Sequence, residues 1–167
     1  MFRILLVAAF LGCLAGCTMN MRLAQSGAST PPANVIRLKV QADPLLNRYD
    51  KSSHALLLCL YQLKEPDGFR QLALNKDGVP KLLECGRFDA SVINARLLVV
   101  QPGQEFSQSC DKGEGARYLG LATGYYTLGK RKVTELLFIP PGAAENGPQG
   151  VLHLDLGAQE ITNARVE

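Results

Sequence analysis

Tryptophan is absent from this chain, histidine occurs twice, and aromatic residues make up only 7% of the whole. So little imidazole leaves few routes to acid–base or metal chemistry. His54 merely adjoins Ser53, and His153 alternates with Leu152 and Leu154, which puts it on the polar face of an expected strand. A serine or cysteine nucleophile needs a base and an orienting acid beside it, and no hydrolase signature marks one here. CxxC and HxxxH spacings are missing, which leaves no metal motif. The carboxylates are scattered, with no DxDxDG run for calcium. Gly113-Glu114-Gly115 starts like a dinucleotide loop but lacks the third glycine and the following helix. The reading is of a non-enzyme with no catalytic residue, no metal and no cofactor. A formal charge of +3 is too small to argue for nucleic acid. After the first residues no apolar run approaches 18, so no membrane-spanning helix is expected.

What the chain does have begins at its start. Arg3 precedes an apolar run from Ile4 to Leu14, and then comes Leu14-Ala15-Gly16-Cys17. A basic start, a short apolar stretch and small residues at the cut describe a secretory signal peptide. The last four residues have the form of a bacterial lipobox. Residues 1–16 are therefore expected to be removed and Cys17 to become a lipidated N-terminus. Several acyl chains hold a protein on a membrane where one does so only marginally. Thr18, rather than Asp, follows the cysteine; by resemblance to enterobacterial sorting, this favours the outer membrane, periplasmic face. Residues 17–34 combine the acylated cysteine with a tether rich in Ser, Gly, Thr, Pro and Ala, whose flexible reach is ~20–25 Å. Residues 35–167 are expected to form one domain. A composition 47% hydrophobic and 20% charged suits a globular fold.

Within that domain the chain is punctuated at short intervals by Gly and Pro. Residues 35–41 alternate, with Ile36, Leu38 and Val40 on one face. Residues 55–63 are apolar on both faces. Pro66-Asp67-Gly68 reads as a turn, and two short helices are expected within 69–87. Strands follow at 92–101, 104–109, 117–128 and 133–139, with a loop at 110–115. Residues 151–156 and 160–166 form a hairpin around Gly157. Gly120 and Gly124 mark places where a neighbouring side chain or backbone comes close. The fold class is an all-β sandwich with a short helical insertion.

Cys59, Cys85 and Cys110 remain in the domain. An oxidising periplasm favours a disulfide, and three thiols leave one over without fixing the pairing. Cys85 and Cys110 both lie at expected loop edges, where geometry adjusts, whereas Cys59 lies within a strand. The expected pair is Cys85–Cys110.

Residues 42–53 form a connection that is long for a sandwich. It carries Leu45, Leu46 and Tyr49 between Asp43, Arg48 and Asp50. An apolar knob ringed by charge suits a modest protein interface. Leu46 and Asn47 are expected to brace the loop, and Leu45, Arg48 and Tyr49 to be presented. The alternative is that Leu46 and Tyr49 fold back to cover the end of the sandwich.

Several segments together resemble a family. Leu60-Tyr61-Gln62-Leu63, preceded by Leu46-Asn47, is similar to the YQL strand of the TssJ (SciN) lipoproteins of type VI secretion. Phe69, the helical stretch, Val99-Val100-Gln101-Pro102-Gly103 and Tyr118-Leu119-Gly120-Leu121-Ala122 follow in that family's order. The resemblance runs from about residue 35 to 166. It implies a transthyretin-like sandwich that binds the periplasmic domain of the inner-membrane protein TssM and ties the secretion complex to the outer membrane, with partner contacts on the loop bearing Leu45, Leu46, Asn47, Arg48 and Tyr49. No small-molecule substrate is expected. Two other readings compete: a sandwich lipoprotein for a small ligand or glycan, which needs a wide pocket between the sheets, and an assembly lipoprotein of another envelope machine.

Overall fold

A computed structural model describes residues 35–75, 77–127, 131–141 and 150–167. The signal peptide, Cys17 and the tether lie outside the described residues, as do Leu128, Lys130 of the basic turn 130–132, and residues 143–149.

Eight strands form two four-stranded sheets. β1 (Val35–Ala42), β4 (Glu105–Asp111), β7 (Gly150–Leu156) and β8 (Ile161–Val166) lie in the order β4-β1-β7-β8. β2 (Leu56–Leu63), β3 (Val92–Val100), β5 (Tyr118–Thr123) and β6 (Thr134–Phe138) lie in the order β3-β2-β5-β6. Every pairing is antiparallel except β1 with β7. The helices α1 (Asp67–Leu74) and α2 (Gly78–Leu83) follow β2.

Period-two alternation builds the core. Ile36, Leu38 and Val40 of β1 and Leu152, Leu154 and Leu156 of β7 meet Leu56, Leu58 and Leu60 of β2 and Leu119 and Leu121 of β5 between the sheets, all buried. β2 is apolar on both faces because it serves two cores. Its other face, Cys59, Tyr61 and Leu63, packs with Phe69, Leu82, Val92 and Ala122 under the helices. Helices of eight and six residues are too short to stand alone, so this second cluster holds them. Gly120 makes room for it: a Cβ there would lie 2.6 Å from the Phe69 ring.

Four boundaries differ from the sequence reading. α1 begins at Asp67, inside the expected turn, with Pro66 as its N-cap; proline and an acidic first turn both suit a helix start. β5 stops at Thr123 rather than Leu128: the Gly124 N–H still reaches the Leu57 carbonyl at 2.8 Å in register with the ladder, and beyond it Tyr125 turns inward to the Gly157 and Glu160 carbonyls. β2 begins at Leu56, one residue past the expected start at 55, which leaves His54 within the connection. β4 continues through Cys110 to Asp111, which pairs with Val35.

That last extension corrects the disulfide. Cys85 pairs with Cys59, Cα–Cα 5.6 Å, and Cys110 is free. Cys110 sits within a strand of the opposite sheet, packed against the main core, with its thiol 3.5 Å from the Ile36 carbonyl. Cys59 faces the helical layer, where α2 ends and Cys85 adopts φ +54°. Sheet β3-β2-β5-β6 therefore stands between Cys85 and Cys110.

Candidate functional site

The connection between β1 and β2 is held at many points. The Asp43 carboxylate accepts the Leu45 N–H at 2.6 Å, and the Asp43 carbonyl accepts N–H bonds from Leu46 (2.8 Å) and Gly103 (3.1 Å). Tyr49 and Ser52 exchange backbone hydrogen bonds, both at 2.9 Å, around Asp50 (φ +43°) and Lys51 (φ +64°). Two successive left-handed residues make a type I′ hairpin turn. The Arg48 N–H reaches the Ala158 carbonyl in the β7–β8 turn at 2.8 Å, and Ser53 Oγ donates to the Pro44 carbonyl at 2.9 Å.

Asn47 is the central brace. It is 3% exposed, at φ +50°, a conformation that asparagine adopts more readily than most residues. Its Nδ2 donates to the Ala55 carbonyl at 2.8 Å, and its Oδ1 accepts the Tyr126 N–H at 2.9 Å. Leu46 is fully buried in the main core. Leu45 and Tyr49 are 48% and 56% exposed, and Arg48 faces solvent. Leu46 thus folds back to cover the end of the sandwich and Tyr49 does not.

Two residues join this surface that the sequence did not assign to it. Tyr126, 59% exposed, stacks on Tyr49 with ring centroids 5.0 Å apart and planes at 22°. His54 meets Tyr126 edge-on at 4.9 Å. The signal was Tyr125-Tyr126, consecutive tyrosines just past a glycine. Tyr125 turns inward and its hydroxyl donates to the carbonyls of Gly157 (3.1 Å) and Glu160 (2.9 Å). Burial, Glu160 and Asp43 all push its pKa up, so it is a neutral strut, and Tyr126 is left facing out.

Elsewhere, a cleft of about 340 Å³ opens between the edges of β3 and β4, lined by Gln62, Asn94, Arg96, Ser109, Cys110 and Asp111 among others. Burial pushes the Cys110 thiol pKa up, against the pull of Arg96, so the thiol is not activated. The space between the sheets is itself filled by leucines. Among the described residues no group of three or more His, Cys, Asp or Glu side chains could hold a metal ion.

The fold and this surface define a β-sandwich with an ordered, partly apolar loop at one end of a filled core. The chain belongs to the family described as "Type VI secretion lipoprotein, VasD, EvfM, TssJ, VC_A0113", which it matches over residues 34–159. Among solved structures it is similar to the type VI secretion lipoprotein TssJ1 of Pseudomonas aeruginosa (23% identity, TM-score 0.66, 80% of this chain and 98% of that one). It is also similar to Lip of Serratia marcescens, a membrane-bound component of the type VI secretion system (16%, 0.63, 79% and 97%). A third similarity is to a chain in the structure of the TssM C-terminal domain (869–1107) from EAEC (14%, 0.61, 77% and 96%). Comparison with curated proteins finds no match.

Proposed function

We propose that this protein is a non-catalytic outer-membrane lipoprotein, anchored through Cys17, whose loop 42–53 binds the periplasmic domain of TssM and so ties the type VI secretion membrane complex to the outer membrane. The observation that carries the reading is the loop itself. It is tied down by backbone bonds to the β3–β4 and β7–β8 turns and by the Asn47 side chain to Tyr126, and still presents Leu45, Arg48 and Tyr49 to solvent. Pre-ordering of this kind lowers the entropy cost of binding.

The topology supports it. The tether joins at Val35, and the eight residues of β1 separate that end from the loop, a distance of ~25 Å at strand rise. The loop therefore lies at the end of the sandwich opposite the tether, the end suited to a partner rising from the inner membrane. Membership of the type VI secretion lipoprotein family agrees with a partner in that machine.

The test changes Leu45, Arg48 and Tyr49 to alanine together. The variant is expected to keep its thermal midpoint within a few degrees and to lose ~2 kcal/mol or more of affinity for the TssM periplasmic domain, the scale of an interface hot spot. A folded variant that binds unchanged moves the interface elsewhere. Anchoring has its own check: Cys17→Ser should abolish palmitate labelling and leave an uncleaved precursor.

A further inference from the structure

Eight large hydrophobic side chains stand exposed among the described residues, and five of them, Tyr49, Tyr126, Leu57, Val99 and Leu97, fall in one band that starts on the loop bearing a sixth, Leu45. The band begins at the Tyr49–Tyr126 stack. Two residues before Tyr126, the Gly124 N–H bonds to the Leu57 carbonyl. Leu57 pairs across the ladder with Val99, and Leu97 lies next on the same face, opposite Cys59. The helices cover the rest of that face from Cys59 to Leu63 but leave this corner bare.

β3 is also an edge. Among the described residues it pairs only with β2, and its nine residues contain no proline and one charge, Arg96. The other three edges are blunted. β4 is polar on its solvent face and β8 carries Thr162, Asn163 and Arg165; β6 has five residues and an inward Glu135 paired with Lys132. Long apolar edges are normally protected because they template strand addition. Arg96 points to the opposite face from Leu97 and Val99, at the mouth of the cleft between β3 and β4, and it makes no salt bridge among the described residues.

We propose that the partner seated on loop 42–53 also lays an extended segment along β3 and adds a fifth strand to this sheet. Side chains alternate along a strand. The segment's apolar residues would cover Leu57, Leu97 and Val99, and its alternate positions would place a carboxylate over Arg96. Backbone pairing supplies affinity and the alternate side chains supply selectivity, as in other strand additions. The inference rests on the reading that loop 42–53 meets that partner.

The test uses the acylated full chain in detergent with the TssM periplasmic domain. Leu97→Lys with Val99→Lys should weaken binding about tenfold or more, and Arg96→Glu by a smaller factor, with thermal midpoints unchanged because all three side chains are exposed. Amide exchange at 95–100 should slow when the complex forms, together with exchange at 42–53. Protection confined to the loop, with the lysine variant binding normally, overturns the added strand while the loop reading stands. No protection at either place overturns both. A concentration-dependent dimer abolished by the lysine pair assigns the band to a second copy and also overturns the proposal.

Discussion

Cys59 holds the helical layer to the sandwich, and it was the cysteine that loop-edge reasoning set aside. The missing fact was sidedness. Alternation shows that Cys59 and Tyr61 share a face, but which face receives the helices depends on how the chain returns over the sheet. The bridge closes a sequence separation of 26 residues, worth ~3.5 kcal/mol in chain entropy. Replacing Cys59 and Cys85 together by serine should lower the thermal midpoint by roughly 10–15 °C, whereas Cys110→Ser should cost less than ~1 kcal/mol. Thiol titration of the denatured, unreduced domain should find Cys110 alone among the three. Tyr61 acts in the same layer. Its hydroxyl donates to the Leu82 carbonyl at 2.6 Å, and burial first, then Glu84, pushes its pKa up to about 12. The folded state thus keeps this proton to higher pH than the unfolded chain, whose tyrosines titrate near ~10. Its contribution is complete below pH ~10 and is lost as pH rises through about 12. Tyr61→Phe should cost ~1 kcal/mol at neutral pH and flatten the alkaline loss, read from denaturation midpoints between pH 8 and 12. At the loop, the division into Leu46 and Asn47 inside and Leu45, Arg48 and Tyr49 outside was legible, because an ordered connection that caps a sandwich end must send some apolar residues each way.

Among the elements, the strands with clean alternation were readable almost to their ends, since one face had to be buried. β5 was overextended because the run Tyr118–Tyr126 stays apolar after it leaves the ladder; Tyr125 is buried by its own hydrogen bonds rather than by strand pairing. The helical insertion was visible in spacing, and Gly120 in the expectation of a close approach. Its neighbour was not, because Phe69 is 51 positions away in the chain. Gly120→Ala should destabilise by ~1–3 kcal/mol through overpacking against the Phe69 ring. Combining it with Phe69→Leu should cost less than the two single changes added, because they share one contact. Chemical denaturation of the four proteins gives the coupling.

On the scale of the whole molecule, the two-sheet class followed from strand count and turn spacing, but the strand order did not. Nothing local tells β1 to lie between β4 and a parallel β7. That arrangement nevertheless sets the geometry on which the proposed mode of binding rests. It puts Val35, where the proposed tether would join, opposite Asp111, with Ile36 opposite Gly150, and gathers loop 42–53, Gly103, Ala158 and Tyr126 at the other end. The two ends thus make opposite demands on a partner, and in-cell crosslinking separates them. A photo-reactive phenylalanine analogue placed at Leu45, or at Glu114 near the tether end, would be irradiated in cells assembling the secretion complex. An adduct with TssM is expected from position 45 and none from position 114. An adduct from 114 with none from 45 would contradict the proposed mode of binding.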